Sequence, residues 1–348
     1  MFFQSDNWAG VHPSIAANLS KAGEGFAAAY GNSDADRTVL DLFSEVFERD
    51  VSVYFVGTGT AANSLALAAI QRPGGAVFSH CEAHVIEDEC GAPDFFSGMR
   101  MAPVAGRAGR IELDLLSKAM GAYPQDAVHH GRSAGVTITQ ATEMGTVYSL
   151  DQISALSEVA RSHNVPVHMD GARFANALVS LDTSPAEMTW RRGVDLLSFG
   201  ATKNGCWCAE AIVCFNQDLA ADLAFIQKRS AQLFSKSRFV AAQFEAYFAD
   251  GLWLALARHA NRMADQLRER LTAADMRLAW PTTTNEVFAI LPKRVAGTAL
   301  GRGAHFYEWP VPSFLQGEVA EKETLARFVT SFATTDAHVD ELLEALKA

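Results

Sequence analysis

Asp195-Leu-Leu-Ser-Phe-Gly-Ala-Thr-Lys203 and Val167-His-Met-Asp170-Gly-Ala-Arg173 are the stretches that decide the fold of this 348-residue chain. Each brings a charged residue to the end of a short apolar run, which is the pattern of a buried parallel strand. In an open α/β sheet, ligands collect at the carboxyl ends of the strands. Lys203 and Asp170 are therefore predicted to lie at the same edge of one sheet.

A lysine amine and a carboxylate at one sheet edge are two groups that pyridoxal phosphate requires. The amine forms a Schiff base with the cofactor, and the carboxylate keeps the pyridine nitrogen protonated. Each residue alone has a simpler interpretation, because a strand-end lysine is often only solvated and Asp170 could cap a helix that begins near Arg173. Together they favour an enzyme that uses this cofactor.

Strand-like and helix-like segments alternate around these two stretches. Strands are predicted at 51–56, 135–139, 165–169, 195–200 and 211–215, and helices at 61–70 and 149–164. Such alternation predicts a mainly parallel sheet with helices packed on it, which is an α/β fold.

The last third of the chain has a different pattern. Long helical stretches are predicted at 217–238 and 241–274, followed by strands at 285–291 and 325–332 and a closing helix at 336–348. A single core rarely grows beyond ~250–300 residues, so two domains are expected. We place a large domain, including the N-terminal segment, at 1–245 and a small C-terminal α+β domain at 246–348.

A glycine turn, Gly57-Thr-Gly59-Thr60, separates the first predicted strand from the first helix. The free N–H groups and the positive dipole end of a helix start suit a phosphate group, although the glycines could also do no more than shape the turn. The spacing does not match the G-x-G-x-x-G of dinucleotide-binding turns. Gly59 and Thr60 are candidates for binding a phosphate.

The composition excludes several classes of protein. The net charge is −11, and no block of Lys and Arg could follow a nucleic-acid backbone. No apolar run is long enough to span a membrane, and the first residues lack the features of a signal peptide. The five cysteines are expected to be free thiols rather than metal ligands. We expect a cytoplasmic protein with a small-molecule substrate and no metal.

His84 follows the apolar run Gly75-Ala-Val-Phe78 and is therefore predicted to lie at another strand end. From there it could lie flat on a pyridine ring, and an imidazole titrates near neutral pH, as a general base must. A lone histidine is more often structural than catalytic. His168 lies inside a strand and is expected to be a packed, hydrogen-bonded core residue.

Eight ordered motifs extend along nearly the whole chain. They are Ser5-Asp6-Asn7, Ala29-Tyr30-Gly31, Gly59-Thr60-Ala-Ala-Asn63, Ala83-His84 with Asp88-Glu-Cys-Gly-Ala-Pro93, Thr139-Gln-Ala-Thr-Glu-Met-Gly-Thr146, His168-Met-Asp170-Gly-Ala-Arg173-Phe, Phe199-Gly-Ala-Thr-Lys203-Asn-Gly and Ala326-Arg327-Phe. With these motifs the chain resembles the threonine aldolase family of pyridoxal-phosphate enzymes, especially its bacterial low-specificity branch. Much of the wider family has a different segment where this chain reads Gln140-Ala-Thr-Glu143.

The resemblance implies a fold, a set of site residues and an assembly. The fold is that of the type I pyridoxal-phosphate-dependent transferases. For the cofactor, the resemblance implies that Lys203 carries the Schiff base, Asp170 pairs with the pyridine nitrogen and His84 stacks on the ring. Gly59 and Thr60 would hold the phosphate. Arg173 would bind the ring oxygen and the substrate carboxylate, with help from Arg327 and Ser5. Tyr30 would come from a neighbouring subunit, because the family forms its sites at dimer interfaces within a homotetramer. The second active-site histidine is His129 or His130.

The reaction implied by the resemblance is cleavage of threonine or allo-threonine to glycine and an aldehyde. His84, His129, His130 or a water molecule could be the base that removes the hydroxyl proton. Other enzymes with the same cofactor stay open as alternatives, namely a β-eliminating lyase, serine hydroxymethyltransferase or an aminotransferase. The alternative that is not an enzyme is a non-catalytic protein that binds the cofactor.

Overall fold

A computed structural model describes residues 1–124 and 126–347. Its strands are β1 (Ser52–Val56), β2 (Gly75–His80), β3 (Arg100–Val104), β4 (Gly106–Arg107), β5 (Arg110–Ile111), β6 (Arg132–Thr139), β7 (Val167–Gly171), β8 (Leu196–Gly200), β9 (Glu210–Cys214), β10 (Arg277–Leu278), β11 (Glu286–Pro292), β12 (Tyr307–Trp309) and β13 (Glu323–Val329). Seven of them form the central sheet in the order β1-β9-β8-β7-β6-β2-β3.

The helices lie mainly between these strands. They are α1 (Pro13–Ala22), α2 (Asp34–Val46), α3 (Gly59–Ala69), α4 (His84–Glu87), α5 (Ala92–Ser97), α6 (Leu113–Gly121), α7 (Leu150–Ser162), α8 (Phe174–Leu181), α9 (Pro185–Met188), α10 (Gln217–Ala220), α11 (Leu223–Arg229), α12 (Arg238–Phe248), α13 (Leu252–Ala273), α14 (Lys293–Gly301) and α15 (Asp336–Leu346). No helix among the described residues is long and apolar enough to cross a membrane.

The central sheet confirms the prediction of a mainly parallel α/β fold. Strands β8, β7, β6, β2 and β3 are parallel to one another, and β9 runs antiparallel between β8 and β1. Asp170 pairs with Thr139 of β6 and Ser198 of β8, so the ends of three strands meet at one edge. We call this edge of the sheet the carboxyl edge and the opposite one the amino edge.

Local signals explain where the predicted elements begin. Helix α7 begins at Leu150 because Ser149 Oγ accepts a bond from Gln152 N while Gln152 Oε1 accepts one from Ser149 N, which is a capping box. Strand β7 begins two residues later than the predicted strand, at Val167. Pro166 precedes it and has no N–H to donate. His168 is packed as predicted, with its ring nitrogens 2.8 Å from Thr137 Oγ1 and 2.9 Å from Ser198 Oγ.

Both long helical stretches are broken, which the sequence pattern did not reveal. The first is divided into α10 and α11, and the residues between α11 and α12 are not helical. There, Gln232 Oε1 accepts a bond from Gly57 N, and Ser235 O accepts one from Tyr30 N. The second is broken between α12 and α13, where Asp250 and Gly251 have positive φ values. The closing helix α15 ends at Leu346, and Ala348 lies outside the described residues.

An aromatic cluster fills one face of the central sheet. Phe43 of α2 lies 5.4 Å from Phe199 of β8, 5.1 Å from Phe244 and 5.0 Å from Phe248 of α12, measured between ring centroids. Edge-to-face pairs at such distances add to the stabilisation from burial alone. The cluster fixes β8, and therefore the turn that carries Lys203, against two helices.

The smaller sheet has the order β10-β11-β13-β12 with antiparallel neighbours, and it contains the two strands predicted in the last third. Its core also includes Phe3, although we placed the N-terminal segment with the large domain. Phe3 N donates to His305 O and Phe3 O accepts from Val329 N, both at 2.8 Å. The boundary between residues 245 and 246 falls within α12 and stays a prediction.

We expect Phe3→Ala to lower the free energy of unfolding by about 3–5 kcal/mol, because it leaves a cavity in the core of the smaller sheet. Phe2 is the matched control, since its side chain is 60% exposed. Urea denaturation of both variants measures the difference. Equal losses for Phe2→Ala and Phe3→Ala would show that the N-terminal segment is not anchored as described.

Candidate active site

A cavity of about 570 Å³ opens at the carboxyl edge, between the central and the smaller sheet. It brings together five of the residues that the sequence singled out. These are Ser5, His84, Arg173, Lys203 and Arg327. The remaining wall includes Glu143 and the segment 307–313.

Lys203 is held by a rigid turn after β8. The neighbouring Asn204 Nδ2 donates to Tyr247 Oη at 2.7 Å and to Trp253 O at 2.9 Å. Gly205 follows with a φ of 110°, and a Cβ atom at this residue would lie 2.9 Å from Leu256. Glycine is therefore required directly after the turn, which fixes the backbone from which the lysine side chain enters the cavity.

Asp170 lies near the end of β7 and is buried. Its Oδ1 atom accepts a bond from Ala172 N, and its Oδ2 atom accepts one from Asn63 Nδ2, both at 3.0 Å. Helix α8 has Arg173 as its N-cap residue and has no side-chain cap, so the alternative of a helix-capping role for Asp170 is wrong. A buried carboxylate with two neutral donors can still accept a further bond.

A chain of hydrogen bonds connects Asp170 to His84. Asn63 Nδ2 also donates to Glu89 Oε1 at 2.8 Å, and the same oxygen lies 2.8 Å from His84 Nδ1. Burial by itself would lower the pKa of His84, but its hydrogen bond to Glu89 raises this pKa above 6.5, with help from Glu143 and Asp170. His84 is therefore oriented by Glu89, and its imidazolium form is stabilised.

Arg173 is the most deeply buried guanidinium of the site. Its Nε and Nη2 atoms donate to Asp6 at 2.8 and 3.1 Å, which is a bidentate pair. Its Nη1 atom is buried and has no hydrogen-bond partner among the described residues, with oxygens of Glu286 and Glu143 at 3.7 and 3.8 Å. Burial by itself would lower the pKa of Arg173. These carboxylates, of which Asp6 has the largest effect, instead raise this pKa well above the usual value. The Nη1 atom of Arg173 is thus left for a ligand.

Arg327 reaches the same cavity from β13. Its Nη2 and Nε atoms lie 2.8 and 3.0 Å from Glu286 Oε1, and its guanidinium lies 4.4 Å from the ring centre of Trp309. Burial raises the pKa of Glu286, although Arg173 and Arg327 oppose this shift. The two arginines are held by carboxylates from different parts of the chain and face one cavity.

Gly59 and Thr60 form the start of helix α3, as predicted. The Thr58 side chain caps this helix by accepting a bond from Ala61 N. A Cβ atom at Gly59 would meet nothing within 4 Å, so space is open there. The hydroxyl of Ser64, which is fully buried on the same helix, has no partner among the described residues. This helix start has the free N–H groups that a phosphate requires.

Tyr30 and the two candidate histidines do not reach the cavity of their own chain. Tyr30 is half exposed and lies against Lys228, with 5.4 Å from its ring centre to Nζ. His129 and His130 are exposed and precede β6, whose amino end is at the opposite edge of the sheet. At 3.3 Å per residue, the length of β6 separates the two edges by roughly 23 Å. A role for these three residues at the site therefore requires a second copy of the chain.

Three acidic residues within the quoted motifs belong to the site but were not singled out from the sequence. Asp6 and Glu89 hold Arg173 and His84, and Glu143 lines the cavity between the two arginines and His84. Burial would raise the pKa of Glu143, but Arg173, Lys203 and Arg327 lower it to about 2. All three lie inside the motifs quoted above, yet only their contacts in space show what each one does.

Comparisons with known proteins agree with this geometry. The sequence model of the β-eliminating lyase family matches residues 3–293. The low-specificity L-threonine aldolase of Pseudomonas aeruginosa is 39% identical over 347 residues, which are 99% of this chain and 96% of the relative. The solved threonine aldolase of Leishmania major superposes with a TM-score of 0.92 at 28% identity, covering 99% of this chain and 98% of that one.

A more distant structure is similar in fold alone. The Oryza sativa chain described as TDC with PLP has a TM-score of 0.76 at 14% identity, and the match covers 99% of this chain and 82% of that one. The overall fold is that of the type I pyridoxal-phosphate enzymes, as expected from the resemblance.

We expect Asp6→Asn to destabilise the protein by about 3–5 kcal/mol, because it removes the main partner of a buried guanidinium. Asp34→Asn is the control, since Asp34 pairs with Arg37 at the surface and should hardly affect unfolding. Thermal and urea denaturation of both variants give the comparison. A stable Asp6→Asn variant would mean that Arg173 is compensated mainly by Glu143 and Glu286.

Proposed function

The chain belongs to the β-eliminating lyase family, and from this premise we propose that it is a pyridoxal-phosphate-dependent aldehyde-lyase. Its substrates are L-threonine, L-allo-threonine and other β-hydroxy-α-amino acids, which it cleaves to glycine and an aldehyde. One observation carries the proposal. Lys203 shares a cavity with two arginines, and the Nη1 atom of Arg173 is buried there without a hydrogen-bond partner among the described residues.

The described residues fit the cofactor. Lys203 would form the covalent link, Asp170 would accept a bond from the pyridine nitrogen, and the start of α3 at Gly59 and Thr60 would bind the phosphate. The unpartnered hydroxyl of Ser64 and the open space at Gly59 support this fit. When bound, pyridoxal phosphate supplies the electron sink for the Cα–Cβ bond that breaks.

Arg173 and Arg327 would bind the substrate carboxylate and so determine its orientation. A carboxylate held by two guanidiniums has little freedom to rotate, because each charge-assisted bond has a preferred direction. Fixing the carboxylate would fix the orientation of the bonds at Cα. We propose that this contact favours cleavage of the Cα–Cβ bond over the other bonds at Cα. Ser5, on the rim of the cavity, would assist.

His84 is the base that we propose for the β-hydroxyl proton. Its Nδ1 atom is engaged by Glu89, which leaves Nε2 for the substrate or a bound water. Removal of the hydroxyl proton lets the C–O bond become a carbonyl as the Cα–Cβ bond breaks. The aldehyde then leaves, and a proton delivered to Cα completes glycine.

We further propose a homotetramer in which Tyr30 and His129 reach the cavity of a neighbouring copy. Both residues lie away from the cavity of their own chain, as described above. Large apolar side chains on the surface, Phe26, Trp207 and Phe225, are consistent with contacts between copies. His129, His130 or a water molecule would take the role of the base if His84 only stacks on the ring.

Lys203→Ala should abolish both turnover and covalent attachment of the cofactor. Borohydride treatment followed by peptide mapping should label Lys203 in the wild-type protein and no lysine in the variant. Turnover is measured as glycine and aldehyde formed from threonine, allo-threonine and phenylserine. Pyruvate and ammonia from serine, or amino transfer to a keto acid, would instead favour an eliminating lyase or an aminotransferase.

His84→Phe keeps a flat ring but removes the base, so turnover should fall about 10²–10⁴-fold while the cofactor stays bound. Because the pKa of His84 is raised, kcat/KM should fall as the pH drops through a value above 6.5. Glu89→Gln removes the main cause of this rise and should move the acidic limb of the profile to lower pH. Glu87→Gln removes a charge from the same cavity wall, but Glu87 forms no hydrogen bond or ion pair with His84 among the described residues, so this variant should move the limb less.

Turnover of His84→Phe within a few-fold of the wild type would place the base elsewhere. If the acidic limb of the pH profile is unchanged in Glu89→Gln, protonation of His84 is not the cause of the loss of kcat/KM at low pH.

A further inference from the structure

A second large cavity, of about 490 Å³, lies at the amino edge of the central sheet. We call it the amino-edge cavity. Residues before β7, before β8 and after β9 line it, and three arginines project from separate elements around it. These are Arg49 after α2, Arg72 after α3 and Arg161 in α7. The amino-edge cavity is distinct from the site proposed for catalysis, which lies at the other edge of the sheet.

These arginines lack direct ion pairs of the kind that hold the arginines of the proposed active site. None of the three forms an ion pair with a described residue, and Arg72 donates only to Asn164 O, at 3.1 Å. Asp195 is the acidic residue on the wall, but its oxygens already accept bonds from Val167 N at 2.9 Å and Asn216 Nδ2 at 3.0 Å. In a chain with a net charge of −11, three arginines left unpaired around one cavity indicate a site for an anion.

The wall contacts one of these arginines and leaves room for another. The Arg49 guanidinium lies 4.7 Å from the ring centre of Trp190, whose Nε1 atom donates to Phe47 O at 2.8 Å. Gly193 has a φ of 90°, and a Cβ atom there would lie 3.2 Å from Arg161 Nη2 and 2.8 Å from Ser157 Cβ. The absence of a side chain at Gly193 therefore leaves room for the Arg161 guanidinium. Ser157 itself is 3% exposed, and its hydroxyl has no partner among the described residues.

We propose that the amino-edge cavity binds a phosphate ester of a small metabolite. Guanidiniums that converge from three elements suit a tetrahedral dianion better than a planar carboxylate, which one bidentate arginine satisfies. The volume exceeds that of phosphate alone and lies in the range of small-molecule sites. Arg191 lies 5.1 Å from the ring centre of Trp190. Arg49 and Arg191 together therefore leave little of the Trp190 ring free to stack on the base of a nucleotide.

Calorimetric titration of the holoenzyme tests this proposal, because the bound cofactor occupies the other phosphate site. Inorganic phosphate and glycerol 3-phosphate are the probes, and acetate at the same ionic strength is the carboxylate comparison. We expect one saturable site per chain for both phosphate probes, with tighter binding of the ester, and none for acetate. Arg49→Ala and Arg161→Ala should each weaken binding about 10-fold, as expected for loss of one charge-assisted bond.

Two controls make the outcome specific. Arg37→Ala removes an exposed arginine that is paired with Asp34 and should leave binding unchanged. Phosphate should also change the tryptophan fluorescence of the wild type, and Trp190→Phe should lack this change while calorimetric binding persists. Lack of saturable phosphate binding, or binding that survives Arg49→Ala with Arg161→Ala, overturns the proposal. So does a change of oligomeric state in these variants without a change in phosphate affinity, because the cavity would then be an interface between copies.

Discussion

Burial of the Arg173 guanidinium is the constraint on which the rest of the site depends. A guanidinium stays charged inside a protein, so a buried one must be matched by carboxylates. Asp6 from the N-terminal segment, Glu143 from the loop after β6 and Glu286 from β11 supply them. Because these residues belong to distant parts of the chain, the charge cluster fixes the smaller sheet and the N-terminal segment against the carboxyl edge. The same contacts leave the Nη1 atom of Arg173 without a hydrogen-bond partner among the described residues.

Strand ends could be predicted from the sequence because they depend on local patterns. Apolar runs that end in a polar residue indicated the positions of Lys203, Asp170 and His84, and a glycine turn indicated the start of α3. The partners that orient these groups could not be predicted in the same way. Asp6 and Arg173 are 167 positions apart, and no local rule connects them. The break in the first helical stretch was missed for the same reason, since Gln232 and Ser235 accept bonds from the remote residues Gly57 and Tyr30. The break in the second stretch lies at Asp250 and Gly251, where the backbone has positive φ values.

His129 shows a second limit of reasoning from one sequence. The resemblance implied a neighbouring subunit for Tyr30, but it left open which copy of the chain would contribute His129. The length of β6 places His129 at the wrong edge for its own cavity, and Tyr30 lies on the outer surface. The domain boundary is a similar case, because Phe3 is first in sequence but packs with the last elements of the chain. Spatial order, rather than order along the chain, decides which residues act together.

The two edges of the central sheet use arginine in different ways. At the carboxyl edge, carboxylates of the protein pair with both arginines, Asp6 with Arg173 and Glu286 with Arg327. Arg173 and Arg327 are therefore positioned before any ligand arrives. At the amino edge, Arg49 and Arg161 form no ion pair with a described residue, so an anion bound there would be their first directly paired charge.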